Sequence, residues 1–238
     1  MRKIHFVAVV IALIAGGTVT SFTLLQAIRG DRASEERNND ENIRLPAPKH
    51  DGTISLEQAL LKRRSVREYR DEPLTLSEVA QLLWAAQGIT HRSRGFRTAP
   101  SAGALYPLEV YVVLGNVKGV EPGAYKYRPQ QHVLQRVRKG DVRAELSAAA
   151  LEQTWIGQAP IVIVFSAVYQ RTTKKYGDRG IRYVHMEVGH AAQNVCLQAV
   201  SLNLGAGVVG AFRDRQVNKI LNAPENEQPL YLVPVGVR

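Results

Sequence analysis

The sequence predicts an α+β fold, and three observations carry that expectation. Ser55-Leu56-Glu57-Gln58 and Thr75-Leu76-Ser77-Glu78 are capping-box patterns that open helices early in the body. Glu109–Leu114, Pro160–Val168 and Leu230–Val237 are apolar, β-branched runs that read as buried strands. Tyr183–Leu204 is the longest helical candidate, and small or apolar residues (Val184, Val188, Ala191, Ala192, Val195, Ala199, Leu202) wrap much of it, which suits a central, buried helix. Helices and strands alternate irregularly, with no repeat of roughly 20–50 residues.

In chain order, Arg2 and Lys3 precede Ile4–Ile28, which holds no acidic, lysine or arginine residue. A basic start and an apolar run this long read as a signal or, preferably, an uncleaved membrane anchor over residues 1–30. The preceding basic residues place the body outside the cytoplasm. Asp31–Arg44 is almost free of apolar residues and leads into Leu45-Pro46-Ala47-Pro48, so residues 31–50 are expected to be a polar linker. The remaining residues, 51–238, are one domain's worth.

Within that body the first helix runs from Ser55 to Arg63. In the second, Leu76, Val79, Leu82 and Leu83 recur at helical spacing until Gly88 stops it. Gly123–Tyr127 and His132–Val137 are strands joined by a turn at Arg128–Gln131. Asp141 is expected to cap an Ala-rich helix ending near Leu151. The long helix ends at Asn203-Leu204-Gly205, and Val208–Ala211 is expected to be a strand before a helix capped at Asp214.

Composition narrows the function. Hydrophobic content of 45% and charged content of 22% exclude a disordered body. The single cysteine, Cys196, rules out a disulfide within the chain and a thiolate metal cluster. A net charge of +10 suits a phosphorylated ligand, an acidic membrane surface or nucleic acid. The basic residues are scattered, with groups at Lys62–Arg67, His91–Arg97 and Arg171–Arg182 and no interleaved aromatic platform, so nucleic acid is not an expected partner. His185 and His190 fall on different helix faces, so no metal site is expected. Cys196 reads as buried packing, and Glu187 as a structural partner for an arginine rather than an acid catalyst.

Two blocks carry the chemistry. Arg63-Arg64-Ser65-Val66-Arg67 puts three guanidinium groups and a hydroxyl at a helix end, a donor set matched to phosphate. Standing alone, such a cluster also serves to complement the helix dipole. Pro100-Ser101-Ala102-Gly103-Ala104-Leu105-Tyr106-Pro107 is a small-residue loop that lets backbone N–H groups approach a flat or anionic ligand. A third segment, Gly205-Ala206-Gly207-Val208-Val209-Gly210, follows a helix and leads into a strand, so it is not a dinucleotide fingerprint.

In this order, and with a closing strand at Val233–Arg238, the blocks resemble the FMN-dependent nitroreductase superfamily over about Ser55–Arg238. The Pro-Ser-Ala-Gly-x-Leu-Tyr-Pro-Leu-Glu form, with Glu187-x-Gly189-His190-x-x-Gln193-Asn194 on the long helix, is nearest to the azoline-oxidising dehydrogenases of thiazole- and oxazole-modified peptides. The resemblance implies a nitroreductase-like fold, with a central, mostly antiparallel sheet flanked by helices and FMN at a homodimer interface. It implies that Arg63, Arg64 and Ser65 hold the phosphate and ribityl chain, that Arg67 sits near the N1/O2 edge, and that Arg238 adds a phosphate contact. Pro100, Ser101, Ala102, Gly103, Leu105 and Tyr106 would line the ring from the partner subunit. Val209 and Gly210 would lie against the ring, with a backbone N–H near N5. Three departures stand out: an apolar residue at Val209, where relatives carry a polar one, an ending at Arg238 without an extension around the partner, and the membrane-like N-terminus. The implied activity is NAD(P)H-linked reduction of a nitro- or quinone-like small molecule. The alternatives are azoline oxidation in a modified peptide and flavin binding without turnover.

Overall fold

The structure, a computed structural model, describes residues 42–238. A seven-stranded sheet with order β1-β6-β5-β4-β7-β9-β8 forms its centre, and every neighbouring pair is antiparallel. Its strands are β1 (Asn42–Arg44), β4 (Leu108–Leu114), β5 (Gly123–Arg128), β6 (Val133–Lys139), β7 (Ile161–Ala167), β8 (Leu204–Ala206) and β9 (Gln228–Val237). A separate hairpin joins β2 (Ile89–His91) to β3 (Phe96–Arg97). The helices are α1 (Leu56–Lys62), α2 (Leu76–Gln87), α3 (Arg143–Ala149), α4 (Thr154–Gln158), α5 (Gln170–Tyr176), α6 (Arg179–Ser201) and α7 (Asp214–Ile220).

The central strands are apolar on both faces because both are covered. Along β4, Leu108, Val110, Val112 and Leu114 point into one core while Tyr111 and Val113 point into the other, the period-2 alternation of a strand. α2 and α6 cover the first face, whereas Leu146 of α3, Ile156 of α4 and Val217 and Ile220 of α7 fill the second. On α6 the buried residues Val184, Val188, Ala191, Ala192, Val195 and Ala199 form one stripe at spacings of three and four, while Ile181 and Met186 remain exposed.

Helix signals held where the side chains commit the backbone. Thr75 accepts from Glu78 N at 3.2 Å while the Glu78 carboxylate accepts from Thr75 N at 2.7 Å, a complete capping box. Ser55 makes only its own half, accepting from Gln58 N at 3.2 Å.

Several boundaries differ from expectation. The linker does not extend to residue 50: Asn42–Arg44 pair with β6 and Leu45 is buried. Asp141 accepts from Arg143 N at 3.0 Å, yet the N-cap position belongs to Val142. α6 starts four residues early, at Arg179, and is preceded by the unforeseen α5. The strand expected at Val208–Ala211 lies instead at Leu204–Ala206, because the α6 C-cap at Leu202 turns the chain sooner, and Val209 contributes only an isolated bridge to Leu232. The expected anchor falls outside the described residues, and among the described helices none is long and apolar enough to cross a membrane.

Candidate active site

Topology brings the arginine block against the glycine segment. Directly after α1, Ser65 forms a parallel bridge with Ala206 of β8, and Val66 N donates to Ala206 O at 3.0 Å. The fit is close because the glycines leave room for it. A Cβ on Gly205 would stand 2.6 Å from Val66 Cγ1, and one on Gly207 would meet the Trp155 ring at 2.9 Å and Val66 O at 3.0 Å. Tyr69 ties the block to β9, its hydroxyl lying 3.0 Å from Val66 O and 3.2 Å from Pro234 O. Burial raises the Tyr69 hydroxyl well above its ordinary value, so it stays a proton donor there.

The cations spread around this seam. Arg63 is the C-cap of α1 and is half-buried. Arg64 is exposed, its Nη1 donating to Leu61 O at 2.9 Å and Arg63 O at 2.8 Å, so it closes off the carbonyl end of α1. The Arg67 guanidinium lies 5.7 Å from the centre of the Trp155 ring. Arg238 follows β9 and donates to Asn203 Oδ1 at 3.2 Å, at the foot of β8. Val209 is committed to the core: its side chain is buried, its N–H donates to Leu232 O at 2.8 Å, and so it offers no donor outward. Gly210 is exposed, and its N–H has no hydrogen-bond partner among the described residues.

The Pro100–Tyr106 loop is built at another place. It holds a 3-10 turn over Ala102–Ala104, and Gly103, Ala104 and Tyr106 all take positive φ, of 63°, 54° and 46°. For Ala104 and Tyr106 that region is unfavourable, so the surroundings must hold them there. Ser101 Oγ accepts from Tyr106 N at 2.9 Å, and Arg171 of α5 donates to Tyr106 O at 3.1 Å. The Arg97 guanidinium stacks 4.5 Å from the Tyr106 ring centre. Glycine is favoured at 103, where φ is positive and a Cβ would meet Tyr176 Oη at 2.8 Å. No hydrogen bond among the described residues joins this loop to the arginine block.

Beneath the loop lies Glu187 of α6, 2% exposed. Burial pushes its carboxyl up to about 7, against opposing pulls from the Ser101 hydroxyl, Arg97 and the Gln87 amide. Its arginine neighbour is therefore Arg97. Tyr69 and Trp155 carry no mark of a role in the sequence, and Arg97 and Arg171 stand there only as members of scattered basic groups; their partners Pro234, Arg67, Tyr106 and Glu109 are brought to them by the fold.

The Nitroreductase family profile matches residues 60–237, and the chain belongs to that family. It is 56% identical over 183 residues to a Methanocaldococcus jannaschii protein named as a nitroreductase, covering 77% of this chain and 91% of that one. A Ralstonia eutropha crystal structure, also described as a nitroreductase, superposes with a TM-score of 0.73 at 32% identity, covering 83% of this chain and 89% of the other. The microcin B17-processing protein McbC of Escherichia coli is 30% identical over 133 residues, covering 53% of this chain and 48% of its own. The protein is thus a flavin-dependent oxidoreductase of the nitroreductase family, and its family implies FMN and NAD(P)H.

Proposed function

We propose that the seam between the arginine block and β8 is one half of an FMN site completed by a second copy of the chain, and that the enzyme uses NAD(P)H to reduce a nitro- or quinone-like small molecule. The observation that carries this reading is the docking of Ser65–Val66 on Gly205–Gly207. It sets the arginine block beside the segment that carries the exposed, unpartnered Gly210 N–H. When bound, FMN supplies hydride exchange at N5. Arg63, Arg64 and Ser65 grip the phosphate and ribityl chain, with Arg238 in support. Arg67 offsets negative charge at the N1/O2 edge, and Trp155 holds that guanidinium in place. Gly210, rather than Val209, presents the N–H to N5.

The second copy supplies Pro100, Ser101, Ala102, Gly103, Leu105 and Tyr106 over the ring. Two features support a homodimer: the loop makes no hydrogen bond to its own arginine block, and Leu56, Leu60 and Leu61 of α1 are 62%, 52% and 64% exposed in a single copy. The apolar N-terminal segment would tether the body to a membrane, outside the cytoplasm; carbonate-resistant retention in the membrane fraction supports that, and release by carbonate removes it.

A second reading, oxidation of azolines in a modified peptide with oxygen as acceptor, draws on the Pro100–Pro107 form and the likeness to McbC. One experiment separates the two. Anaerobic NADH and NADPH are added to the FMN-loaded protein, and a thiazoline peptide is added in air to a second sample. Bleaching by nicotinamide with an inert peptide supports reduction. Azole formation without nicotinamide turnover supports oxidation and displaces the first reading.

A further inference from the structure

Behind the Pro100–Tyr106 loop lies a cavity of about 240 Å³ whose walls include Arg97, Arg128, Arg171, Gln87, Glu109 and Tyr127. Three guanidinium groups therefore face one carboxylate, and that carboxylate is already engaged. Glu109 pairs with Arg171 through Oε1 and with Lys126 Nζ through Oε2 at 3.0 Å. Burial works against its charge, but Lys126 and Arg171 together hold it below the usual carboxylate range. Lys126 also reaches Glu227 at 2.6 Å, and Tyr111 donates to the other oxygen of Glu227 at 2.7 Å, which closes this network on itself.

Arg97 and Arg128 are not directly paired with a carboxylate, although Glu109 and Glu187 both act on Arg97 through space. Neither forms an ion pair among the described residues. Their side-chain acceptors are neutral amides: Arg97 donates to Gln87 Oε1 at 3.0 Å, and Arg128 to Gln135 Oε1 at 3.0 and 2.6 Å. Arg97 Nε is buried with no hydrogen-bond partner, whereas the fully buried Gln87 amide acts on Glu187. Buried donors without partners are costly, and doubly so on a cation. A bound oxyanion would give the Arg97 guanidinium the acceptor it lacks.

We propose that this cavity binds a small oxyanion, a carboxylate or phosphate group held between the Arg97 and Arg128 guanidinium forks. Guanidinium groups take either by paired charge-assisted hydrogen bonds, and the cavity admits a ligand of only a few heavy atoms or the anionic end of a larger one. The site is separate from the Arg63–Arg67 block. It also touches the loop, because Arg97 stacks on Tyr106 and Arg171 holds the Tyr106 carbonyl. Occupancy would therefore steady the loop in its positive-φ form.

The test uses the full chain saturated with FMN, so that any phosphate site at the arginine block is already filled. Thermal unfolding is followed while inorganic phosphate or acetate is titrated at constant ionic strength, set with chloride. The expected result is a saturable rise in midpoint with at least one of the two anions. It should weaken at least tenfold in Arg128→Gln and less in Arg128→Lys, which keeps the charge but loses the fork. A response to acetate alone assigns a carboxylate ligand, and a response to phosphate alone a phosphoryl group. No saturable response in the wild-type protein, or an undiminished response in Arg128→Gln, overturns the proposal. Should Arg128→Gln fail to fold, an Arg128→Lys protein that binds both anions as tightly as wild type does the same. The titration succeeds or fails without reference to turnover, so it stands apart from the assignment of the substrate.

Discussion

Removing Arg63 and Arg64 one at a time separates their two possible duties. A charge-assisted contact to a phosphate is worth roughly 1.5–3 kcal/mol, so each Arg→Ala change should weaken FMN binding by about 10- to 150-fold. The structure adds an asymmetry between them. Arg64 Nη1 also donates to Leu61 O and Arg63 O, whereas no side-chain hydrogen bond of Arg63 exists among the described residues. Arg64→Ala should therefore also cost the apoprotein about 0.5–1.5 kcal/mol by uncovering the end of α1. Arg63→Ala should leave apoprotein stability nearly unchanged. Flavin fluorescence quenching gives the affinity, and urea unfolding of the apoprotein gives the stability. If both variants bind FMN as wild type does while Arg64→Ala loses stability, the block is a helix-end charge group and the phosphate reasoning fails.

Three further outcomes follow from buried groups. The Glu187 carboxyl is pushed up to about 7 from an ordinary 4.5, so the folded state holds a proton that the unfolded chain releases. Its contribution is fully present below pH 4.5 and is lost as pH rises toward 7, a decline of about 3 kcal/mol. Glu187→Gln should flatten that decline in urea-unfolding curves taken from pH 4.5 to 8; an unchanged slope would show that another group titrates. Lys126→Met strands Glu227 as a buried charge held only by the Tyr111 hydroxyl, leaves Glu109 to Arg171 alone, and should destabilise by about 3–5 kcal/mol, measured by chemical denaturation. Gly207→Val must displace Trp155 or the Val66 carbonyl, so FMN affinity should fall even where circular dichroism shows a folded protein.

The sheet and the long helix were legible because period-2 and 3.6-residue patterns write themselves into consecutive residues. Leu108–Leu114 and Val184–Ala199 needed no distant information. The arginine and glycine blocks were visible as chemistry, but their meeting through Ser65 and Ala206 was not, since a parallel bridge between residues 141 positions apart leaves no local trace. The same holds for Tyr69, whose hydroxyl reaches Pro234 O from the far end of the chain. Val209 is a related case. Its apolar character is visible in the sequence, yet only the pairing with Leu232 shows that its N–H is spent inward and that Gly210 is left as the exposed donor. α5 leaves no mark in the sequence because Gln170–Tyr176 is polar and carries no capping signal.

The most direct measurement is the absorbance spectrum and sedimentation behaviour of the purified chain with FMN supplied in excess. A yellow dimer holding close to one flavin per chain, bleached by a nicotinamide donor in the absence of air, is the expected result. A colourless single copy that takes up no flavin would contradict the account at its base.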